Sequence, residues 1–281
     1  MMGIRKSRIP RELARMALPL SIGQSRIGPL WVDLTRVPHV LVGGTTLYGK
    51  TVWIVQAITA LTLLRSPEQL RLLMIDFKRT EFTVFDSLPH LWTPVVNEIE
   101  DAVIAVGRLA QEMNRRQALF EAAHVNDIAG YNAAADEPLP YLVAVVDEIA
   151  ELRPADGPDR DEKALRQEAL AHLQRLGRLG RAAGIHLILS TQRPDANTVE
   201  GQVKGQCAGR IAFYCADHTM SEIILDNKAA SSLPPWAGRG IWKWDRQIQF
   251  QAPLLESKDC VKLLDRAYPA RHDPPVEEVA A

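Results

Sequence analysis

The stretch from Pro38 to Leu64 constrains the fold most, because an apolar strand, a glycine-bracketed turn and an apolar helix follow one another without a break. Pro38-His39-Val40-Leu41-Val42 reads as a buried strand running into glycines, and residues 50–64 are apolar on nearly all sides, which suits a helix packed against a sheet. The eight residues between them, Gly44-Thr45-Thr46-Leu47-Tyr48-Gly49-Lys50-Thr51, fit the phosphate-loop pattern GxxxxGK[ST]. The chemistry follows from residue type. Glycines let the backbone curl so that amide N–H groups converge on phosphate, and the helix N-terminus adds partial positive charge. Lys50 is placed to reach the β- and γ-phosphates of ATP, and the Thr51 hydroxyl to ligate Mg²⁺.

Further apolar runs continue the alternation. Leu70–Ile75, Tyr141–Val146, Ile185–Ser190 and Arg210–Cys215 read as strands, and residues 98–123 and 161–183 as amphipathic helices. Strands alternating with helices predict an α/β fold with a mostly parallel central sheet flanked by helices. Residues 19–34 read as short strands around a turn, and 240–251 as a hairpin around Asp245-Arg246. Residues 1–18 form a basic arm and 268–281 a Pro-rich acidic tail, which leaves 19–267 as a single ATPase domain. The arm is either a frayed terminus or a contact for a partner, lipid or DNA.

Tyr141-Leu142-Val143-Ala144-Val145-Val146 ends in Asp147-Glu148. Two carboxylates at the end of an apolar strand, downstream of a phosphate loop, predict Asp147 in the Mg²⁺ shell and Glu148 as general base for the attacking water. The strand at Leu187 ends in Ser190-Thr191-Gln192, where Gln192 can contact the γ-phosphate or the lytic water and pass hydrolysis to neighbouring loops. Asp76-Phe77-Lys78-Arg79 places charge at the carboxyl edge of the sheet, where open α/β folds bind ligands; a solvated charge cluster is the alternative. Arg210, at the start of a strand, and Arg181 are candidates to reach a neighbouring subunit's site as an arginine finger. The polar stretch Pro154–Lys163 is either a surface loop or a loop facing a central pore.

Composition narrows the remaining classes. With 33 basic and 34 acidic residues the net charge is -1, so the chain has no global basic coat for nucleic acid. Three cysteines without paired spacing, Cys207, Cys215 and Cys260, suit a reducing compartment and do not suggest zinc. No apolar run is long enough for a membrane span, so a cytoplasmic location is expected unless a partner holds the chain at a membrane.

These motifs, in this order, resemble the FtsK/SpoIIIE family of DNA translocases. The likeness is carried by Pro38–Thr46, Ile75-Asp76-Phe77-Lys78-Arg79, Pro89-His90-Leu91, Glu112-Met113-Asn114-Arg115-Arg116, Ala129-Gly130-Tyr131-Asn132 and Asp147-Glu148. It continues through Arg181–Leu187, Thr191-Gln192-Arg193-Pro194, Arg210-Ile211-Ala212-Phe213 and Ile224-Leu225-Asp226, and covers roughly residues 20–255. The resemblance implies a RecA-like core, a homo-hexameric ring around double-stranded DNA, ATP bound between subunits, and Arg210 at the finger position. It also implies a segregation or conjugative mobile-element system with membrane-anchored or element-encoded partners. Grip on phosphates rather than base edges would give tracking without sequence preference.

The chain departs from the family where Leu47 replaces a glycine and Tyr48 a small residue. Leucine tolerates positive φ poorly, but other phosphate loops manage without that glycine, so binding is expected to survive, with or without weakening. Tyr48 would stack on a base or lie on a subunit face. Two other functions compete: a type VII secretion-like ATPase that moves protein, and a non-motor ATP-binding assembly protein.

Overall fold

The computed structural model describes residues 10–192 and 204–272. Residues 1–9 of the basic arm, Arg193-Pro194 and residues 273–281 of the acidic tail lie outside the described residues.

Nine strands form one sheet: β1 Pro19–Ser25, β2 Gly28–Asp33, β3 His39–Gly43, β4 Leu70–Ile75, β5 Tyr141–Val146, β6 Ile185–Thr191, β7 Gly209–Phe213, β8 Arg239–Lys243 and β9 Gln247–Gln251. Their order is β2-β1-β9-β8-β7-β3-β6-β5-β4. The run β7-β3-β6-β5-β4 is wholly parallel. If β3 is counted as first, this run has the order fifth, first, fourth, third, second. The strand preceding the phosphate loop therefore sits inside the parallel part, flanked by β7 and β6. The expected hairpins at 19–34 and 240–251 are present, and they extend the sheet antiparallel beyond β7.

The helices are α1 Arg11–Arg15, α2 Lys50–Leu64, α3 Ile99–Ala122, α4 Ile128–Ala134, α5 Arg160–Leu179, α6 His218–Leu225 and α7 Ser257–Ala267. Their starts are written in sequence. Asp127, Asp159 and Asp217 each accept a hydrogen bond from a main-chain N–H three residues on, satisfying donors that a helix start leaves unpaired. Apolar residues of α2 and α7 pack on one face of the sheet, and those of α3 and α5 on the other. The strands between read as continuous apolar runs because both of their faces are covered. No helix among the described residues is long and apolar enough to cross a membrane.

The described part of the N-terminal arm is docked. Arg65 donates to the Ala17 carbonyl (2.7 Å) and the Leu13 carbonyl (3.2 Å), and the Asp33 carboxylate accepts from the main-chain N–H groups of Ala17 and Leu18. Leu18 is buried beneath them. The polar stretch at Pro154–Lys163 is compact: a 3-10 turn at Pro154–Asp156, tied by an Arg153–Asp156 ion pair, leads into the first turn of α5.

Candidate nucleotide site

The phosphate loop leaves β3 through Gly43 and enters α2 at Lys50. Gly44 has φ 150°, and a Cβ there would lie 2.8 Å from the Phe213 Cβ. Gly49 has φ 103° and faces the Gly238 main chain just as closely. Both positions need a residue without a side chain, in conformation and in space. Leu47 occupies the left-handed region with φ 73°, and its side chain is 91% exposed. The expected conflict is therefore real: the loop holds its usual shape by straining a leucine. Tyr48 does not lie open for a base. It is half-buried, with its ring 4.6 Å from that of Tyr214, and its carbonyl accepts from the Gly238 N–H (2.9 Å). The substitution is accommodated by packing within the subunit.

Behind the loop, Lys50 is almost fully buried. Its ammonium donates to Asp147 Oδ1 (3.0 Å), to the Asp147 carbonyl (3.2 Å) and to Ser190 Oγ (3.0 Å). The Ser190 hydroxyl in turn donates to the Asp147 carbonyl. Asp147 itself is buried, and its Oδ2 has no hydrogen-bond partner among the described residues. A buried carboxylate oxygen left in this state needs a reason. Lys50 can turn toward phosphate, and the next residue, Thr51, lines the cavity, so the acceptors on offer are oxygen. That suits Mg²⁺, held through one or two protein groups and water.

Gln192 joins two parts of the site. Its side-chain oxygen accepts from the Thr46 hydroxyl (2.8 Å), and its main-chain N–H donates to Glu148 Oε2 (2.8 Å). Thr46 and Gln192 line two adjoining hollows. One, of about 380 Å³, is walled by Lys50, Thr51, Glu81, Ala237-Gly238 and Gln251–Leu254. The other, of about 550 Å³, is polar and holds Glu148, Lys78, Arg153 and Asp217. The first is concave, largely apolar and floored by the phosphate loop, as a nucleotide cleft should be.

Asp76 is not a solvated charge. It is buried, and its carboxylate accepts from the N–H groups of Lys78, Glu81 and Phe82, knotting the loop after β4. That knot carries Glu81 to the cavity wall. Burial, reinforced by the negative charges of Asp147 and Asp76, raises the Glu81 pKa above the usual carboxylate value.

Arg210 is engaged within its own chain. It pairs with Asp226 and donates to the carbonyls of Cys207 and Ile224. Lys204 and Lys243 reach the same carboxylate, each at 2.7 Å. These cations also donate to carbonyls in the last turn of α6, where cations offset the helix dipole. Together they hold Asp226 as a carboxylate far below its ordinary pKa, against the opposing effect of burial. Arg181 is exposed in the turn before β6.

The sequence reading therefore brought together Gly44 to Thr51, Asp147, Glu148 and Gln192, and the structure gathers them at one edge of the sheet. It missed Glu81, Ser190 and the wall from Ala237 and Gln251. Ser190 carried a signal: in a strand it shares a face with Gln192, two residues on.

Comparison with known proteins places these features in context. Residues 5–196 match the model of the FtsK/SpoIIIE family. The "DNA translocase FtsK" of Helicobacter pylori (strain J99) is 34% identical over 258 residues, covering 88% of this chain and 29% of that protein. Its Campylobacter jejuni (strain 81-176) namesake is 37% identical over 262 residues, covering 90% and 26%. The chain thus spans under a third of the length of these curated relatives. Among solved structures, the pCW3 conjugation coupling protein TcpA, in monomer form with ATPγS, superposes with a TM-score of 0.82 at 29% identity. That alignment covers 92% of this chain and 73% of that one. The cytoplasmic domain of the Thermomonospora curvata type VII secretion ATPase EccC gives 0.73 at 25% identity, covering 89% and 31%.

Proposed function

The chain belongs to the FtsK/SpoIIIE family, and on that premise we propose that it is the ATP-hydrolysing motor of a double-stranded DNA translocase, working as a homo-hexameric ring in a segregation or conjugative system. The observation that carries the reading is the link from Thr46 through Gln192 to Glu148, set beside the buried Lys50–Asp147 pair. A single residue touches both the phosphate loop and the proposed base, so a change at the phosphates displaces both.

In the proposed cycle Lys50 exchanges Asp147 Oδ1 for the β- and γ-phosphate oxygens. Thr51 and Asp147 would hold Mg²⁺, which when bound would neutralise charge on the phosphoryl oxygens. Glu148 takes the proton of the attacking water, and the Gln192 N–H fixes the orientation of its carboxylate. Gln192 reports loss of the γ-phosphate through Thr46. Arg210 acts in a neighbour's site as a finger, for which it must let go of Asp226.

A protein-moving ATPase remains the second reading, favoured by the likeness to EccC. Steady-state ATP hydrolysis with and without long duplex DNA decides between them. Strong stimulation in the wild type, lost in Glu148→Gln although that variant still binds ATP, is the expected result. Hydrolysis indifferent to DNA would transfer the proposal to a protein substrate.

A further inference from the structure

Glu81 is unusual among the acids of the site. It lines the cavity that Lys50 and Thr51 floor, yet its carboxylate has no hydrogen-bond or ion-pair partner among the described residues. Its main chain is fixed, because its N–H donates to the buried Asp76 carboxylate at 2.8 Å. The charges of Asp147 and Asp76 act against its ionisation, and those of Lys50 and Lys78 favour it. The second orphan in the same place is Asp147 Oδ2, buried and without a partner.

From this we infer that Glu81 is a second acidic group of the magnesium site, positioning the ion's water shell together with Thr51 and Asp147; the inference rests on the nucleotide reading above. The argument is one of charge balance. Lys50 is the only cation bonded to Asp147 among the described residues. When it turns to the phosphates, Asp147 loses that partner while still repelling Glu81, next to a polyanion, and Lys78 is the other cation acting on Glu81. A divalent cation relieves that repulsion, and Mg²⁺ keeps several of its waters, so an acid on the wall acts on it through water. A carboxylate with its backbone anchored and its oxygens free is built for that task. One whose oxygens were already hydrogen-bonded would not be.

Binding of a fluorescent, slowly hydrolysed ATP analogue to the full chain, titrated with Mg²⁺, tests this without relying on turnover. For Glu81→Gln the Mg²⁺ concentration giving half the effect should rise about tenfold, while affinity for the nucleotide in EDTA stays at the wild-type value. Glu81→Asp, which keeps the charge, should fall between the two. Equal weakening with and without Mg²⁺ would mean that Glu81 touches the nucleotide itself and would overturn the inference. An unchanged Mg²⁺ dependence in both variants would do the same. Failure of the wild type to bind the analogue would overturn the nucleotide reading as well, and is thereby told apart from a defect confined to the variants.

Discussion

At the carboxyl edge of the parallel strands, Asp147 keeps one buried oxygen without a partner among the described residues, and Glu81 faces the cavity with both of its own free. Toward the amino edge, Asp226 is held by Lys204, Arg210 and Lys243 together. The same edge buries His39, His90 and His186, each with one ring nitrogen bonded and the other sealed in the interior. The first edge leaves acceptors for something to bind. The second edge engages its carboxylate oxygens within the fold, and its unpartnered atoms among the described residues are ring nitrogens. A search for chemistry by charged-residue type would find both edges; only the count of satisfied oxygens separates them.

The largest effect that would test this contrast is acid unfolding. Burial lowers the pKa of His39 to about 3 and those of His90 and His186 to about 4. Below about pH 6.5 the unfolded chain binds protons that the folded chain refuses, so stability falls with pH until the folded-state values are reached. Each histidine should contribute a loss of about 1.4 kcal/mol per pH unit within that window. Urea unfolding at pH 7 and pH 5 reads the slope directly, and a free energy equal at both would show that the amino edge is not sealed as described.

Arg210 gives the next largest effect, because it belongs structurally to the satisfied edge and by proposal to catalysis. Arg210→Ala should lower turnover by two orders of magnitude or more, with nucleotide binding kept. Asp226→Asn should cost about 1 kcal/mol of stability and leave turnover nearly intact. Should both variants only lower the melting temperature, Arg210 is an anchor for α6 and not a finger.

The smallest effect sits at the strained tip of the phosphate loop. Leu47→Gly relieves the φ of 73°, and should stabilise nucleotide binding or the fold by about 1 kcal/mol. An unchanged melting curve and an unchanged nucleotide affinity would place the strain elsewhere.

Most of the parallel core was legible in sequence because the relevant signals are local. Strands β4 and β5 and helix α2 lie where continuous apolar runs place them, bounded by glycine, charge or proline. The phosphate loop, Asp147 and Glu148 were legible because strand ends and turn glycines are local too. What escaped is what depends on distant segments meeting. The approach of Gly238 to Gly49 and Tyr48 builds one wall of the cavity, yet nothing near Gly238 in the chain announces it. Glu81 carries no local signal in the sequence, and it reaches the cavity wall only through the Asp76 knot. The Arg210–Asp226 pair joins β7 to the end of α6, sixteen residues on, and the sequence around Arg210 does not announce it.

Helix α6 has a mechanical consequence. Near its start, Thr45 of the phosphate loop accepts from the Ala216 N–H (2.9 Å), and its hydroxyl points at the Met220 sulphur. Its other end is clamped at Asp226. Eight helical residues span about 12 Å, capped by Asp217 at the start and by the Lys204, Arg210 and Lys243 cations at the end. Through these contacts one short helix joins the phosphate loop to the ion cluster at the opposite edge of the sheet.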